Sequence, residues 1–317
     1  MIGRVLHSGL CAPLRWMNSL RERRVFVYYA FPDFERKAKA IASLLRERGI
    51  LARACSGASV FRRAQIKSSL DLWIGFWNDF SWEALPSHYI FFNAEPLCVP
   101  RWQGNEEWLA AMRGAIEIWD YNRLNQAQLL GLGRPFQHVP FGYAPYYETS
   151  YHAHTRGKPL EQDIDVLFVG SLSERRKETL ERLRARGMRV HAVTRSHPAH
   201  GAKLDKLLAQ SKIVLGVHYF ADPRAQIIDL ARLDHPLSNR LFVVHERPSA
   251  MAAAPQLERH ITTCSYDDIP DTCAEFVAKP AERRRLADAA YGWFREEYPL
   301  ARFLPYERTV ELLRGLS

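Results

Sequence analysis

Short apolar runs of strand length alternate with helical patterns along most of this chain. Residues 25–30 form a β-branched and aromatic run, and apolar residues then recur from Phe34 to Leu45 at spacings of four, three and four. This spacing predicts an amphipathic helix, and Gly49 predicts its end. A second apolar run at residues 50–55 completes a strand–helix–strand unit, which is typical of a parallel sheet.

The alternation continues to residue 145 and restarts after a polar segment. Residues 146–163 have no apolar period and contain Gly157 and Pro159, which predicts a linker. After the next strand, Ser173 is expected to cap a helix. The further strands are predicted at residues 70–76, 88–93, 116–119, 137–141, 164–170, 189–193, 213–217 and 241–244, and the helices at 106–114, 121–130, 174–186, 202–210, 225–233, 281–298 and 303–316.

Near-continuous apolar strands between helices indicate parallel sheets that are covered on both faces. The sequence therefore predicts an α/β protein with one domain at residues 24–145 and another at residues 164–292. Residues 1–23 form a basic leader, and residues 293–317 form the final helices. Open sheets of this class bind ligands at the carboxyl ends of their strands, so a cleft between the two domains is the expected site.

Composition narrows the class of protein. The 317 residues include 44 Lys and Arg against 35 Asp and Glu, which gives a formal net charge of +9, and 47% of them are hydrophobic. This is ordinary globular composition, and no apolar run approaches the ~20 residues that span a bilayer. Five scattered cysteines argue for reduced thiols in the cytosol, against a disulfide framework or a zinc site. The charge surplus is too diffuse to indicate a specific nucleic-acid partner.

The first 24 residues mix positive charge with apolar side chains. Five arginines stand there against Glu22, with Leu6, Leu10 and Trp16 among them. Such a segment can lie on an anionic membrane surface, and the alternative is a loose leader or a helix packed on the domain. We therefore expect a cytoplasmic protein, and the first of these alternatives would place it peripherally at the inner face of the membrane.

Several standard catalytic motifs are missing from the sequence. It contains no G-x-x-x-x-G-K-[ST], H-E-x-x-H or G-x-S-x-G segment. His152 and His154 lie in the predicted linker without a carboxylate or thiol arranged nearby, so we expect no metal there.

One segment of the second domain suits a phosphorylated ligand. Residues 170–177 (G-S-L-S-E-R-R-K) join a buried strand to the start of a helix, where main-chain amides and basic side chains favour a phosphate. The alternative is that Arg175, Arg176 and Lys177 form only the solvated face of that helix.

A second group of polar residues follows in the same domain. His218 and Tyr219 lie just beyond a predicted strand, and Glu246 ends another strand on the same edge, where its alternative is a loop carboxylate. Asp229 and Arg232 are three residues apart on a predicted helix, so they share a face. An ordinary ion pair within the helix is the alternative to a ligand contact for these two residues.

The order of these segments resembles that of GT-B glycosyltransferases, and the closest pattern is the spore-maturation-protein-like branch of the family 1/family 4 glycosyltransferase clan. The resemblance spans about residues 24–300 and implies two Rossmann-like domains that face a cleft, with a C-terminal helix that crosses back to the first domain. The segments that carry it are S-K-I-V-L-G-V-H-Y-F at 211–220, D-x-x-R at 229–232, L-S-N at 237–239, V-V-H-E at 243–246, Y-I-F-F-N-A-E at 89–95, I-W-D-Y-N at 118–122 and V-P-F-G-Y at 139–143.

The chain departs from the family pattern at several positions. Asp229 stands where the branch has Glu, and the E-x7-E pair of the wider clan falls on Gln226 and Asp234. The loss of both glutamates puts a retaining mechanism of the family 4 type in doubt. Gly216 replaces a frequent Asn, and His245 replaces a frequent Ser.

The resemblance implies transfer of a sugar from a nucleotide-diphosphate sugar to an acceptor hydroxyl, with no metal ion or other cofactor. The acceptor is a glycan, a lipid-linked compound or another hydroxyl compound. Ser171, Arg175 and Arg232 are expected to bind the diphosphate, and Glu246 to contact the ribose or a group near the phosphates. The whole set expected at the nucleotide-sugar site, mainly in the second domain, is Gly170, Ser171, Arg175, Arg176, Lys177, His218, Tyr219, Asp229, Arg232, Asn239 and Glu246.

Three residues are candidates for the chemistry itself. Glu95 and Asp120 each end a predicted strand of the first domain, where a general base for the acceptor is expected. The alternative for Asp120 is a helix cap before Tyr121, and the alternative for Glu95 is a surface position. His218 is expected near the donor sugar, or else as a structural histidine.

Two other classes of function stay open. The first is a GT-B-fold sugar-nucleotide epimerase or a catalytically silent sugar-nucleotide-binding protein, because fold does not fix function. The second is a basic membrane or nucleic-acid adaptor, which the net charge and the leader suggest.

Overall fold

The computed structural model describes residues 23–56, 71–77, 85–149, 160–252 and 254–316, and these residues form two parallel sheets with helices around them. The first sheet contains β1 (Val25–Tyr29), β2 (Ala52–Ser56), β3 (Leu72–Phe76), β4 (Tyr89–Asn93), β5 (Glu117–Asp120) and β6 (Phe136–His138). The second contains β7 (Ile164–Val169), β8 (Val190–Val193), β9 (Ser211–Gly216), β10 (Val243–Glu246) and β11 (Thr262–Cys264). The strand orders are β2-β1-β3-β4-β5-β6 and β11-β10-β9-β7-β8.

Helices separate all consecutive strands of the second sheet, and they separate β1 from β2, β4 from β5 and β5 from β6 in the first. In the first domain they are α1 (Glu35–Glu47), α2 (Pro100–Gln103), α3 (Glu106–Gly114) and α4 (Gln126–Leu130). The remaining helices are α5 (Glu174–Ala185), α6 (Gly201–Ala209), α7 (Leu230–Ser238), α8 (Pro255–Glu258), α9 (Ile269–Val277), α10 (Pro280–Glu297), α11 (Leu300–Phe303) and α12 (Tyr306–Gly315).

Burial explains why the inner strands are apolar throughout. Every residue of β3 and β4 is buried, since each strand pairs on both sides and is covered on both faces. On α1 the predicted apolar face, with Ala38, Ile41 and Leu45, is buried in the core. Each large apolar side chain buried in this way contributes about 1.5–3 kcal/mol. The two-domain α/β fold predicted from the sequence is confirmed.

The topology fixes where a ligand can enter the second sheet. β7 lies between β8 and β9, so the chain leaves β7 toward one side and later returns on the other. In open parallel sheets the loops separate at such a point and leave a crevice at the carboxyl ends of the strands. The ends of β7 and β9 therefore mark the expected binding position.

Several predicted elements differ from the structure. The helix predicted at 225–233 begins five residues later, at Leu230, because a turn at Pro223–Ala225 precedes α7. The side chains of Asp222 and Asp229 cap the turn and the helix by accepting hydrogen bonds from backbone amides, which sets both starts. Ser173 is the N-cap residue of α5, as predicted, but its hydroxyl makes no capping bond.

Other boundaries also shift. The helix predicted at 121–130 is a turn at Arg123–Asn125 followed by α4, and the strand predicted at 137–141 is β6. The short strand β11 and the helix α9 were not predicted. Residues 1–22 of the predicted leader and residues 150–159 of the predicted linker lie outside the described residues, so the domain boundaries stay predictions.

The end of the chain crosses back to the first domain, as the resemblance implies. Tyr143 N donates to Tyr298 O at 2.9 Å, and Leu300 N donates to Tyr143 O at 2.7 Å. Farther along, Arg308 Nε lies 2.8 Å from Oε2 of the buried Glu117, at the start of β5. These contacts attach α11 and α12 to the first domain.

Gly142 lets the two chain segments approach at this crossing. A Cβ atom on Gly142 would lie 2.5 Å from Tyr298 O and 2.9 Å from Leu300 N, and both are backbone atoms that cannot rotate away. We therefore expect Gly142→Ala to lower the free energy of unfolding by about 1–3 kcal/mol, measured by urea denaturation.

The matched control is Gly292→Ala within α10, where an added Cβ atom meets nothing within 4 Å. That variant is expected to be neutral or to gain about 0.5–1 kcal/mol from helix propensity. Equal stability of the Gly142→Ala variant and the wild type would contradict the close approach.

Candidate functional site

A buried arginine occupies the crevice at the ends of β7 and β9. Arg176, in the first turn of α5, is 3% exposed. Its Nε and Nη2 atoms donate to Val217 O at 2.8 and 2.6 Å, and its Nη1 atom donates to Ser171 O at 2.8 Å. No carboxylate of the described residues forms a salt bridge with Arg176. Its positive charge is therefore held by main-chain carbonyl groups.

A second guanidinium lies beside the first. A Cβ atom on Gly170 would be 2.7 Å from Arg232 Nη1 and 3.7 Å from Arg176 Nη1, so both arginines approach the end of β7 at this glycine. Gly170 has a φ of +148°, which L side chains rarely adopt. Burial and the like charge of Arg232 lower the pKa of Arg176 below its usual range.

Arg232 has one acidic partner, from its own helix. Its Nε atom lies 3.1 Å from Asp229 Oδ2. Asp229 is the N-cap residue of α7 and also accepts a hydrogen bond from Ala231 N. The ion pair considered for these two residues is thus present, and it also directs Arg232 toward Gly170.

Arg175 and Glu246 form a bidentate pair that joins α5 to the end of β10. Arg175 Nη1 donates to Glu246 Oε2 at 2.6 Å, and Nη2 donates to Oε1 at 2.9 Å. The guanidinium carbon also lies 4.1 Å from the ring centroid of Tyr266. The hydroxyl of Tyr266 donates to Arg175 O at 2.8 Å. Tyr266 was missed in the sequence because it follows the unpredicted strand β11.

His218 connects this pair to the end of β9. Its backbone N–H donates to Glu246 Oε2 at 3.0 Å, and its ring Nε2 lies 3.2 Å from Arg247 O. Burial, with the nearby arginines, lowers the pKa of His218 to about 4, so the ring is neutral near pH 7. A neutral ring with one nitrogen at a carbonyl group is typical of a structural histidine.

Two positions where the chain departs from the glycosyltransferase pattern that it resembles lie against each other. Gly216 and His245 are opposite each other in the pairing of β9 with β10. A Cβ atom on Gly216 would lie 2.1 Å from His245 Cδ2. The imidazole of His245 therefore occupies the space that a side chain at position 216 would use. His245 therefore fits only because residue 216 is a glycine.

Glu95 of the first domain interacts electrostatically with the arginine site of the second. It follows β4, and burial raises the pKa of Glu95 to about 7, with the charge of Asp229 adding to the rise. The positive charges of Arg101 and Arg232 act in the opposite direction. Asp229 and Arg232 belong to the second domain, so their charges act on Glu95 from across the cleft.

Asp120 is buried behind this position. Its Oδ2 atom accepts a hydrogen bond from Asn93 Nδ2 at 2.7 Å, and its Oδ1 atom accepts one from Asn122 N at 2.7 Å. Asn125 Nδ2 lies 3.0 and 3.1 Å from its two oxygens. Burial still raises the pKa of Asp120 to about 7. Because amides occupy both oxygens, this geometry suits a residue that positions the loop of Glu95 better than a base.

The remaining predicted site residues divide into two groups. Tyr219 lies near the site, with its ring centroid 5.2 Å from the guanidinium carbon of Arg176, and Ser171 contributes its carbonyl group. Lys177 is exposed and pairs with Glu174 at 2.6 Å on the outer face of α5. Asn239 is buried at the junction of the domains, where its side chain binds Tyr147 O and Thr149 N at 2.8 Å. Neither Lys177 nor Asn239 joins the arginine cluster.

Two structural findings bear on the classes of site and location. In the part of the chain that the structure describes, no three His, Cys, Asp or Glu side chains are grouped so that they could hold a metal ion. No helix of that part is long and apolar enough to cross a membrane.

The contact between Gly216 and His245 can be tested with the residues that the family pattern favours. We expect Gly216→Asn alone to lower the free energy of unfolding by about 1–3 kcal/mol, since the new side chain meets the imidazole of His245. Adding His245→Ser should restore part of this loss, with a coupling energy of about 0.5–3 kcal/mol in a double-mutant cycle followed by thermal unfolding. Additive effects of the two substitutions would show that residues 216 and 245 do not compete for the same space.

Comparison with known proteins gives a fold. No protein-family model and no curated protein matches the sequence. Among solved structures, WaaG, a glycosyltransferase involved in lipopolysaccharide biosynthesis, aligns over 92% of this chain and 100% of its own, at 15% identity and a TM-score of 0.56. Sucrose-phosphate synthase from Thermosynechococcus elongatus aligns over 93% and 99%, at 8% identity and a TM-score of 0.55. HepE from Anabaena, in complex with UDP-glucose, aligns over 92% and 100%, at 11% identity and a TM-score of 0.52. This chain thus has the two-domain fold of these three structures.

Proposed function

We propose that this protein is a glycosyltransferase that moves a sugar from a nucleoside-diphosphate sugar to an acceptor hydroxyl. The observation that carries the proposal is the buried guanidinium of Arg176, which is bonded to carbonyl groups and lies beside Arg232 in the cleft. An anion with several oxygens compensates two adjacent arginines, and a diphosphate offers both the charge and the oxygens. The glycosyltransferase WaaG and the complex of HepE with UDP-glucose, which share this fold, support this choice of ligand.

The donor is proposed to bind mainly to the second domain. Arg176 and Arg232 face the diphosphate, and Arg175 adds a third positive charge that Glu246 and Tyr266 hold in place. A carboxylate can accept about four hydrogen bonds. Glu246 accepts two from Arg175 and one from His218, so it keeps capacity for a ribose hydroxyl. In this scheme Glu246 has two roles: it orients Arg175, and it contacts the ribose of the nucleoside.

The chemical step places charge where the arginines lie. Transfer breaks the bond between the anomeric carbon and a diphosphate oxygen, and it forms a bond from that carbon to the acceptor oxygen. The electron pair of the broken bond stays on the leaving diphosphate, where fixed guanidinium groups stabilise the added negative charge. The proton of the acceptor hydroxyl goes to Glu95, whose pKa of about 7 suits a general base near neutral pH.

The finer features of the proposal follow from the same chemistry. Arginines supply the positive charge, so we propose that the reaction uses no metal ion or other cofactor. The acceptor is proposed to be a glycan, a lipid-linked compound or another hydroxyl compound, used in glycan biosynthesis in the cytoplasm. Residues 1–24 are proposed to contact anionic lipid at the inner face of the membrane.

Binding of a nucleoside diphosphate tests the first part of the proposal. In a thermal-shift panel of UDP, GDP, dTDP, CMP and ADP without metal, one nucleotide at about 100 times its dissociation constant should stabilise the wild type by about 2.7 kcal/mol. Arg232→Ala should weaken that binding by about 2–5 kcal/mol and cut turnover more than about tenfold, because it removes a charged contact to the diphosphate.

The matched control is Arg186→Ala near the other end of α5, where the arginine is exposed and pairs with Asp271. It should leave nucleotide binding unchanged. A flat panel with wild-type protein, or equal binding by the Arg232→Ala variant, would contradict the proposed donor site. Binding without transfer or donor hydrolysis would identify a silent sugar-nucleotide-binding protein instead.

The role of Glu95 predicts a pH profile. Its pKa is raised to about 7, so the carboxylate loses its ability to accept a proton as the pH falls below that value. We expect kcat/KM for transfer to rise with pH and to level off above about 7. Glu95→Gln should lower kcat/KM by about 10²–10⁴-fold and remove this inflection, while nucleotide binding is kept. An inflection that persists in Glu95→Gln and disappears in Asp120→Asn would overturn the assignment.

A further inference from the structure

Helix α7 contacts three functional parts of the molecule at once. Its first turn carries Asp229 and Arg232 at the proposed donor site, opposite Glu95. At its other end, Asn239 binds the backbone of Tyr147 and Thr149, where the chain passes from one domain to the other. Between these ends, α7 meets α1 of the first domain through an ion pair. A shift of this one helix would therefore alter both the site and the contact between the domains.

The ion pair between α1 and α7 is almost fully buried. Lys37 Nζ lies 3.2 Å from Asp234 Oδ2, and the side chains are 8% and 1% exposed. Lys37 Nζ also lies 5.4 Å from the ring centroid of Phe141, at the inner face of the first domain. A buried ion pair is no gain over apolar packing, but the loss of one partner strands an unpaired charge away from water. The two charges are therefore tied to each other's position.

A second cross-domain pair lies next to the first. Arg36 Nη2 lies 2.5 and 2.6 Å from the two oxygens of Asp205 on α6. His235 Nε2 of α7 lies 3.2 Å from the same carboxylate, and its backbone N donates to Asp234 Oδ1 at 2.7 Å. Two consecutive cations of α1 thus meet two carboxylates of the second domain. We call Arg36, Lys37, Asp205 and Asp234 the interdomain clamp.

The clamp includes none of the proposed diphosphate-binding residues, yet it sets the position of that site relative to the first domain. Asp234 is two residues after Arg232 on the same nine-residue helix, so a tie at Asp234 fixes the arginine as well. The base Glu95 belongs to the other domain, and α1 with Lys37 belongs to that domain too. The clamp therefore holds the base and the donor-binding arginine at a constant separation.

We propose that Lys37, through its buried pair with Asp234, is a positioning residue that keeps the cleft closed in a geometry suited to transfer. The expected effect on transfer rests on the proposed function. The expected opening of the cleft rests on the clamp alone. The reacting groups must meet within a fraction of an ångström, and a misplacement of about 1 Å can cost about a hundredfold in rate. Donor binding, by contrast, uses mainly residues of the second domain, and none of the proposed donor-binding residues belongs to the clamp.

The test compares Lys37→Met with the full-length wild-type protein. Loss of Lys37 leaves Asp234 unpaired, and separation of α1 from α7 would admit water to the stranded carboxylate. We expect small-angle X-ray scattering to give a larger radius of gyration. We also expect kcat to fall by about tenfold or more, with the dissociation constant for the nucleoside diphosphate unchanged. Lys37→Arg, which keeps the charge, should restore part of both effects.

A double variant keeps the test informative if Lys37→Met folds poorly. Lys37→Met with Asp234→Asn leaves no unpaired charge, so it should fold and should open less than the single variant. The matched control is Lys212→Met, which removes a lysine whose Nζ lies 2.6 Å from Asp165 within the second domain. That variant should show wild-type scattering and wild-type transfer.

Three outcomes would overturn the proposal. The first is a radius of gyration of Lys37→Met that matches the wild type. The second is an equal change in scattering and kcat in Lys37→Met and Lys212→Met. The third is a loss of nucleotide binding that accompanies the loss of kcat. Failure of the proposed function is a different result, because wild-type protein would then bind no nucleotide while the scattering of the variants still reports on the clamp.

Discussion

The structure of the site depends on a positive charge held where few solvent molecules can reach it. Arg176 is bonded to the carbonyl groups of Val217 and Ser171, which follow β9 and β7. Carbonyl dipoles at the ends of parallel strands are only a partial compensation for a full charge taken from water. Part of the positive charge of Arg176 therefore stays uncompensated at the crevice of the second sheet.

The neighbouring carboxylates do not form a salt bridge with Arg176, because each of them pairs with another arginine. Glu246 accepts both bonds of Arg175, and Asp229 pairs with Arg232. Three arginines thus stand against two carboxylates at the ends of three elements. Gly170 must be glycine for this arrangement, since its backbone conformation and the approach of Arg232 leave no room for a side chain. An anionic ligand with several oxygens is the simplest partner for the positive charge that the two carboxylates leave uncompensated.

The sequence predicted the fold well because strand and helix periods are local properties. The two sheets, α1 and the return of the final helices all follow from apolar spacing or from the resemblance. The site was predicted less completely, since its pairs join residues that are far apart in the chain. Asn239 has the same sequence signature whether it binds a ligand or the backbone of Tyr147, 92 positions away. Gly216 and His245 looked like two separate departures until the pairing of β9 with β10 joined them.

The same long-range coupling links the proposed base to the proposed donor. Burial raises the pKa of Glu95, and the positive charge of Arg232 limits that rise. A diphosphate on Arg232 would neutralise this charge and add negative charge nearby, so the pKa of Glu95 would rise further when the donor is present. After the nucleotide leaves, Arg232 again favours the ionised carboxylate and helps Glu95 to release its proton. One arginine across the cleft would then serve both the leaving group and the base, and the tie between its helix and the first domain would keep it in reach of both.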